Sequence, residues 1–368
     1  MEKIHEINES VYDINMDKLC QNSIELIKYA RNITAKQVNN VQIMTYYSLG
    51  RWIVEVQQQG KHRAEYGKKI IINLSKKLTE EFGKGFSEST LEKARKFYLT
   101  YKERISETLF TEFAIKKSET VFTIFEEEHP FLVTWSHYLQ LMRNEDERSF
   151  YEIEAAREKW GVRDLSRQYN SSLYERLALS RDKEKVQRLS QEGNVITTSK
   201  DVLKDPYVLE FVGLEDKYNY SETDLENRLL DNLQQFLLEL GKGFTFVARQ
   251  KRFSFEEDHF RVDLVFYNRL LKCFVLFDLK IGKLKHQDLG QMQMYVNYYD
   301  RYEKTEEENP TIGVLLCNEK NDAMVELTLP EDSNIYASQY KLYLPDKKLL
   351  QDKLKEWLQE EGGAEDEI

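Results

Sequence analysis

Phe260-Arg261-Val262-Asp263-Leu264-Val265-Phe266-Tyr267 and Cys273-Phe274-Val275-Leu276-Phe277-Asp278-Leu279-Lys280 are the two stretches on which the reading of this chain turns. Both are apolar, β-branched and aromatic runs of strand length. The second is apolar at odd and even positions alike, so it expects cover on both faces of a sheet. Side chains alternate along a strand, which puts Asp278 and Lys280 on one face. A charge in such a strand is costly unless it is paired or bound to a metal. Two aspartates on neighbouring strands repel each other unless a cation lies between them. The spacing therefore predicts Asp263 and Asp278 as ligands of a hydrated divalent ion, Mg²⁺ with Mn²⁺ as substitute, and Lys280 as the group beside the nucleophilic water. The bland alternative is a structural ion pair, Asp278 with Lys280 or Asp263 with Arg261.

Outward from this pair, strand-length runs occupy 244–253 and 311–317. Helical spacing covers 224–240 and 286–302. The order α-β-β-β-α-β predicts a mixed central sheet flanked by helices. In 224–240, Leu229, Leu233, Leu237 and Leu240 form a stripe. Glu226 falls at its start and is the candidate third acid of the metal site, although Thr223-x-x-Glu226 also reads as a capping box. Glu239 lies off the stripe and is read as solvent-facing. Gln291 and Tyr295, four apart, share one helix face. They and Gln250, at a strand end, are candidate supporting residues; the alternative is the polar edge of a packed helix.

Residues 10–190 differ in texture, being helical in spacing with almost no Gly or Pro. Ile70, Ile71, Leu74, Leu78 and Phe82 repeat helically, and Gly83 is placed as a C-cap. Residues 61–104 carry 12 basic against 6 acidic side chains. Two helices joined by Gly83-Lys84-Gly85-Phe86 predict a helix-turn-helix-like element, with Lys84, Lys93, Arg95 and Lys96 toward phosphates. The alternative is the solvated face of a helical bundle. His137, after Trp135, is read as a packed histidine. The domain reading is a helical N-terminal domain over 1–185, a linker over 186–205, a catalytic domain over 206–355 and an acidic tail over 356–368.

The 368 residues carry a net charge of −11, unevenly spread. Residues 1–200 hold 32 Lys and Arg against 30 Asp and Glu, and residues 201–368 hold 21 against 34. Global charge thus neither supports nor excludes a polyanionic partner. Cys20, Cys273 and Cys317 are too scattered for a disulfide framework or zinc cluster and fit a reducing cytoplasm. There is no apolar run long enough to span a bilayer and no signal-peptide pattern, so no membrane role is expected. No Gly-rich phosphate loop or Gly-x-Ser-x-Gly elbow is present.

Val262-Asp263 followed by Asp278-Leu279-Lys280 resembles the PD-(D/E)XK motif of restriction-like nucleases. The chain is most similar to the YhcG-like branch, which joins a helical N-terminal domain to a C-terminal nuclease domain. The likeness is carried by Phe236–Phe244, Arg249-Gln250, Asp263–Tyr267, Leu279–Lys283 and Gly290–Tyr295. Asp205–Phe211 and Trp135–Tyr138 extend it over nearly the whole chain. Asp278 departs from the glutamate usual in that branch, and its shorter arm bears on activity and metal preference. The resemblance implies an Mg²⁺-dependent endonuclease acting on DNA, in bacterial DNA defence or processing, as a homo-oligomer or a partner subunit. A catalytically weak assembly subunit and an RNA-cutting enzyme are the alternatives.

Overall fold

The computed structural model describes residues 16–59, 64–115, 130–142, 147–179, 183–204, 206–214, 220–255, 258–330 and 333–359. The chain divides into two compact units, Met1–Glu145 and Asp146–Ile368.

The first unit is helical: α1 (Met16–Gln59), α2 (Ala64–Phe82), α3 (Glu88–Tyr101), a short α4 (Glu107–Phe110) and α5 (Trp135–Leu141). α2 ends at Gly83, whose positive φ of 78° and N–H bond to the Thr79 carbonyl make it the expected C-cap. Ser87 caps α3 by accepting from the Thr90 N–H. Leu91, Ala94, Phe97 and Tyr101 recur every three or four residues and form the buried stripe of α3. Phe97 touches the rings of Phe131, Trp135 and Tyr138 at centroid distances of 5.2, 5.2 and 5.3 Å. A Cβ on Gly50 would overlap the Ala94 carbonyl. Glycine there costs α1 about 1 kcal/mol of helix propensity and allows α3 to lie against it. His137 is buried and hydrogen-bonded to Thr134, as a packed histidine would be.

The second unit begins with α6 (Arg148–Arg157), α7 (Val162–Asn170), α8 (Leu173–Leu179) and α9 (Lys183–Glu192). The sequence reading gave these to a domain ending at 185, with a linker to 205. The compact unit starts at Asp146 instead. The reason is a set of buried charges that ties α7 and α8 to the rest of this unit, described below. The linker region itself is built: it holds part of α9 and a 3₁₀ turn, Ser199–Val202, with Val186, Leu189, Val202 and Lys204 buried.

The sheet runs β1 (Tyr207–Val208), β6 (Ile335–Lys341), β5 (Ile312–Glu319), β4 (Cys273–Lys283), β3 (Asp258–Asn268), β2 (Phe244–Phe255). The β2–β3–β4 part is antiparallel and the β4–β5–β6–β1 part parallel. The mixed sheet flanked by helices is the predicted architecture. On one face, α10 (Glu222–Asp231) and α11 (Leu233–Leu240) bury Leu225, Leu229, Phe236 and Leu240 against Leu264, Phe266, Phe277 and Val314. On the other, α12 (His286–Tyr298) buries Leu289, Met292, Tyr295 and Val296 against Val262, Leu276, Leu315 and Cys317. Each such side chain contributes about 1.5–3 kcal/mol of hydrophobic free energy. This two-sided cover is why β4 and β5 read as continuous apolar runs. Gly313 faces α12 closely: a Cβ there would come 2.7 Å from Met292.

Three element expectations differ. The helix expected over 224–240 is two helices that meet at Asn232, and the one over 286–302 ends as a π-turn, Tyr299–Glu303. β1, β6, α13 (Asp322–Thr328) and α14 (Lys347–Gln359) extend the unit beyond the predicted elements. α14 takes in the first residues of the region read as tail; 360–368 lie outside the described residues. Cys273 and Cys317 are buried thiols, neither in a disulfide among the described residues. Among the described residues no helix is long and apolar enough to cross a membrane.

Candidate active site

β3 and β4 pair from Asn268↔Cys273 to Leu264↔Phe277, and Asp263 follows where that pairing ends, near enough for Asp278 to feel its charge. The pleat of β3 breaks at that point. Val262 packs on the α12 side and Leu264 on the α10–α11 side, although two residues apart on a regular strand share a face. Asp263 is thereby turned toward the end of β4, where its Oδ2 accepts from the Leu279 N–H at 2.8 Å.

Its other oxygen accepts from Gln250 Nε2 at 3.0 Å, and the same amide donates to Glu226 Oε2 at 2.7 Å. Gln250 thus bridges the two acids. It does so with a φ of +46°, a left-handed conformation that side chains other than glycine rarely adopt and that costs on the order of 1–3 kcal/mol. A register shift between Phe246 and Ala248 immediately precedes it. Its place at a strand end is a weak signal in the sequence; the structure makes Gln250 the bridge of the cluster.

Glu226 is 3% exposed. The capping-box alternative fails for a specific reason: Ser221 and Asp224 form the N-terminal cap of α10. Glu226, one turn inside, is free to face the sheet. Arg249 Nε lies 3.0 Å from its Oε1.

Asp278 is 2% exposed and Lys280 lies beside it, Nζ to Oδ2 2.7 Å. The ammonium hydrogen-bonds that oxygen, as Arg249 pairs with Glu226 Oε1. Burial pushes the Asp278 carboxyl well above its ordinary value and the neighbouring Asp263 pushes it further, while Lys280 offsets part of this. Lys280 loses some basicity to burial, but Asp278 more than restores it, and its ammonium is held in the charged form. Glu222 is a further acid that sequence reasoning missed. Its Oε1 accepts from the Ile281 N–H at 3.3 Å, and both Asp278 and Lys280 feel its charge. Its spacing of four before Glu226 was the available signal.

Gln291 donates to the Tyr295 hydroxyl, so the two do share a helix face. Tyr295 is buried in the core beneath α12 and senses the charges of Asp278 and Lys280. The structure therefore brings Asp263, Asp278, Lys280, Glu226 and Gln250 into one chain of contacts, with Gln291 and Tyr295 next to it. It does not bring Asp263, Asp278 and Glu226 into a finished ligand set: among the described residues no three His, Cys, Asp or Glu side chains already surround a metal position. The Gln250 amide stands between Glu226 and Asp263, and Lys280 stands at Asp278. The donor chemistry nevertheless suits a hard divalent cation, since Asp263, Asp278 and Glu226 offer oxygen donors only and Asp278 and Glu226 are buried.

The basic residues of the first unit lie apart from each other in kind. Lys84 sits in the exposed turn after α2, and Lys93 and Lys96 lie exposed on α3. Arg95 is half-buried, 3.1 Å from Glu92 Oε2 and 3.4 Å from Gln57 Oε1, which commits its guanidinium to α1 and α3.

Two family models match the chain: a DUF1016 N-terminal domain over residues 22–176 and a YhcG PDDEXK nuclease domain over 200–355. Among solved structures, a repair endonuclease from Pyrococcus abyssi is 19% identical with a TM-score of 0.24, covering 36% of this chain and 50% of that one. An EndoMS–double-stranded DNA complex is 16% identical with a TM-score of 0.25 and the same coverages. A curated protein of Escherichia coli (strain K12), named "Putative nuclease YhcG", is 39% identical over 350 residues, which are 90% of this chain and 91% of that protein. With both family domains in order and that identity over nearly its full length, the chain belongs to the YhcG-like family of PDDEXK nuclease-domain proteins.

Proposed function

We propose that the C-terminal unit is a divalent-metal-dependent endonuclease that hydrolyses phosphodiester bonds of DNA. The observation that carries this reading is the pair of neighbouring carboxylates, Asp278 under the charge of Asp263, with Lys280 at 2.7 Å from Asp278 at the end of the central strand. Asp263 and Asp278 would hold Mg²⁺, or Mn²⁺ in its place, with Glu226 joining when the Gln250 amide yields. Such an ion supplies Lewis-acid polarisation of the phosphodiester and of a water.

The remaining work falls to the chain's own residues. Lys280 is held charged by Asp278, and it orients the attacking water and offsets charge that develops on the phosphoryl oxygens. Gln250 fixes the separation of Glu226 and Asp263. Gln291 and Tyr295 line the approach and position a backbone phosphate. The exposed Lys84, Lys93 and Lys96 add non-specific attraction for a polyanion.

Plasmid DNA and a structured RNA, each incubated with MgCl₂ or MnCl₂, test the reading. DNA cleavage by the wild type that is lost in Asp278→Ala and Lys280→Ala supports it, and cleavage of RNA alone replaces its substrate.

A second reading is favoured by one observation: the three carboxylates do not converge on a common point. On that reading the unit is a catalytically weak DNA-binding or assembly subunit. The absence of cleavage of either polymer with either metal, alongside retained DNA binding, would establish it.

A further inference from the structure

The β2–β3 pairing runs out to Phe255↔Asp258, far past the point where β3 leaves β4 at Leu264↔Phe277. Residues 251–255 and 258–262 therefore form a two-stranded ribbon that extends past the pairing with β4. One side of the ribbon is anchored. Phe253 stacks on Tyr298 at 4.0 Å and on Phe260 at 5.6 Å, and meets the Tyr295 ring edge-on at 5.7 Å. This clamps the ribbon to α12.

The next positions carry a feature that stability does not explain. Arg252 faces Arg261 directly across the two strands, and both are exposed. Facing side chains lie about 5 Å apart at Cβ, and like charges there are destabilising. Neither guanidinium has an ion-pair partner among the described residues. Ser254 and His259 form the next facing pair and are hydrogen-bonded at 2.7 Å. Arg252, His259, Phe260 and Arg261, with Gln291 and Tyr295 of α12, line an open groove of about 450 Å³. Arg261 is two residues, roughly 7 Å of strand, from Asp263.

We propose that the Arg252–Arg261 pair is a phosphate clamp, and that the groove between ribbon and α12 seats the backbone of duplex DNA beside the bond to be cut. The placement rests on the nuclease reading of Asp263 and Asp278; the binding itself does not. A phosphate between the two guanidiniums turns their repulsion into a pair of charge-assisted hydrogen bonds. The occupant is DNA rather than RNA because a two-stranded β-ribbon fits the major groove of B-form DNA, whereas the corresponding groove of A-form RNA is too narrow and deep. The aromatic anchoring by Phe253 and Tyr298 keeps the pair in place before substrate arrives, so little ordering entropy is lost on binding.

The test is binding of the full chain to labelled duplex DNA and duplex RNA in EDTA, across a salt series, so that cleavage plays no part. For Arg252→Thr with Arg261→Thr, duplex DNA affinity should fall roughly 10- to 100-fold and the magnitude of the log–log salt slope should drop by about 2. The same double variant should melt at an equal or higher temperature than wild type, because the facing repulsion is gone; a structural role for the pair would lower it. Unchanged DNA affinity and slope would overturn the proposal, as would a loss confined to duplex RNA. If wild type binds DNA through this pair but cuts nothing with any metal, the clamp stands and the nuclease reading falls. If wild type cuts DNA while the double variant binds it normally, the reverse holds.

Discussion

Glu239 and Asp278 are acids of the same unit, 0% and 2% exposed, and their surroundings pull them in opposite directions. Glu239 is ringed by cations. Arg176 Nη1 lies 2.6 Å from its Oε1 and Arg167 Nη1 3.2 Å from its Oε2; the Val208 N–H donates to it at 3.0 Å and Lys204 to its carbonyl. Burial alone would raise its pKa, but Arg176, Lys204 and Arg167 outweigh burial and bring it down to about 2. Asp278 has one cation and one repelling carboxylate beside it, and its pKa goes up. Glu175, between Lys347 and Glu147, is raised in the same way, so a raised pKa alone does not mark a site. What sets Asp278 apart is its place at the end of β4 beside Asp263. The Glu239 network ties α7 and α8 to α11, and Lys347 does the same for α14, at 2.6 Å from Glu147 and 3.1 Å from Glu175.

The contrast can be broken by making the same kind of substitution at both acids. The largest expected effect is on catalysis. Asp278→Asn and Lys280→Ala should each lower DNA cleavage by about 10³-fold or more, read in single-turnover assays. Asp278→Asn should leave the melting temperature unchanged or raised, since it removes a repulsion with Asp263. Glu239→Gln should do the opposite. It leaves Arg176 buried without its counter-charge and should cost about 3–5 kcal/mol of unfolding free energy, measured by urea denaturation. If the two neutralisations shift stability in the same direction, the distinction drawn between the acids is wrong.

Acid titration sharpens the same point. The folded-state pKa of Glu239 is depressed from 4.5 to about 2. Its contribution to stability is therefore complete above pH 4.5 and is lost as pH falls toward 2, by on the order of 3 kcal/mol. Urea midpoints measured across that window should fall steeply for wild type and more gently for Glu239→Gln. The smallest effect concerns why Glu226 can face the sheet at all. Ser221→Ala should cost about 1 kcal/mol through the lost cap, whereas Thr223→Ala should cost less than half of that. Equal losses would mean that Thr223, and with it Glu226, does belong to the cap.

The central strands were legible because cover on both faces leaves an unbroken apolar run, and an Asp-x-Lys in such a run has few bland explanations. Glu226 was legible as a buried acid because it sits on the leucine stripe of α10 and α11. Glu239 was not. A single-stripe reading sends it to solvent, but α7 and α8 form a second layer there and bring arginines to meet it beside the Val208 N–H of β1. Helical periodicity reports one packed face; a helix buried on two sides defeats it. The same hidden layer makes α6 to α8 cluster by contacts with the sheet, although the two family models divide between 176 and 200. β6 escaped notice because Ile335-Tyr336-Ala337-Ser338-Gln339-Tyr340-Lys341 mixes polar residues into an interior strand, and β1 because two residues carry no period. Gln250 could not be weighed from sequence, since its positive φ and its two acid partners exist only once β2 lies against α10.

The account depends most on Asp278 awaiting a divalent cation, and thermal denaturation with increasing MgCl₂ or MnCl₂ tests this directly. Binding to the folded state alone raises the melting temperature with metal concentration. The account predicts a saturable rise for wild type that disappears in Asp278→Asn while the metal-free melting temperature is kept. An identical metal response in the two proteins, or none in wild type, would contradict it.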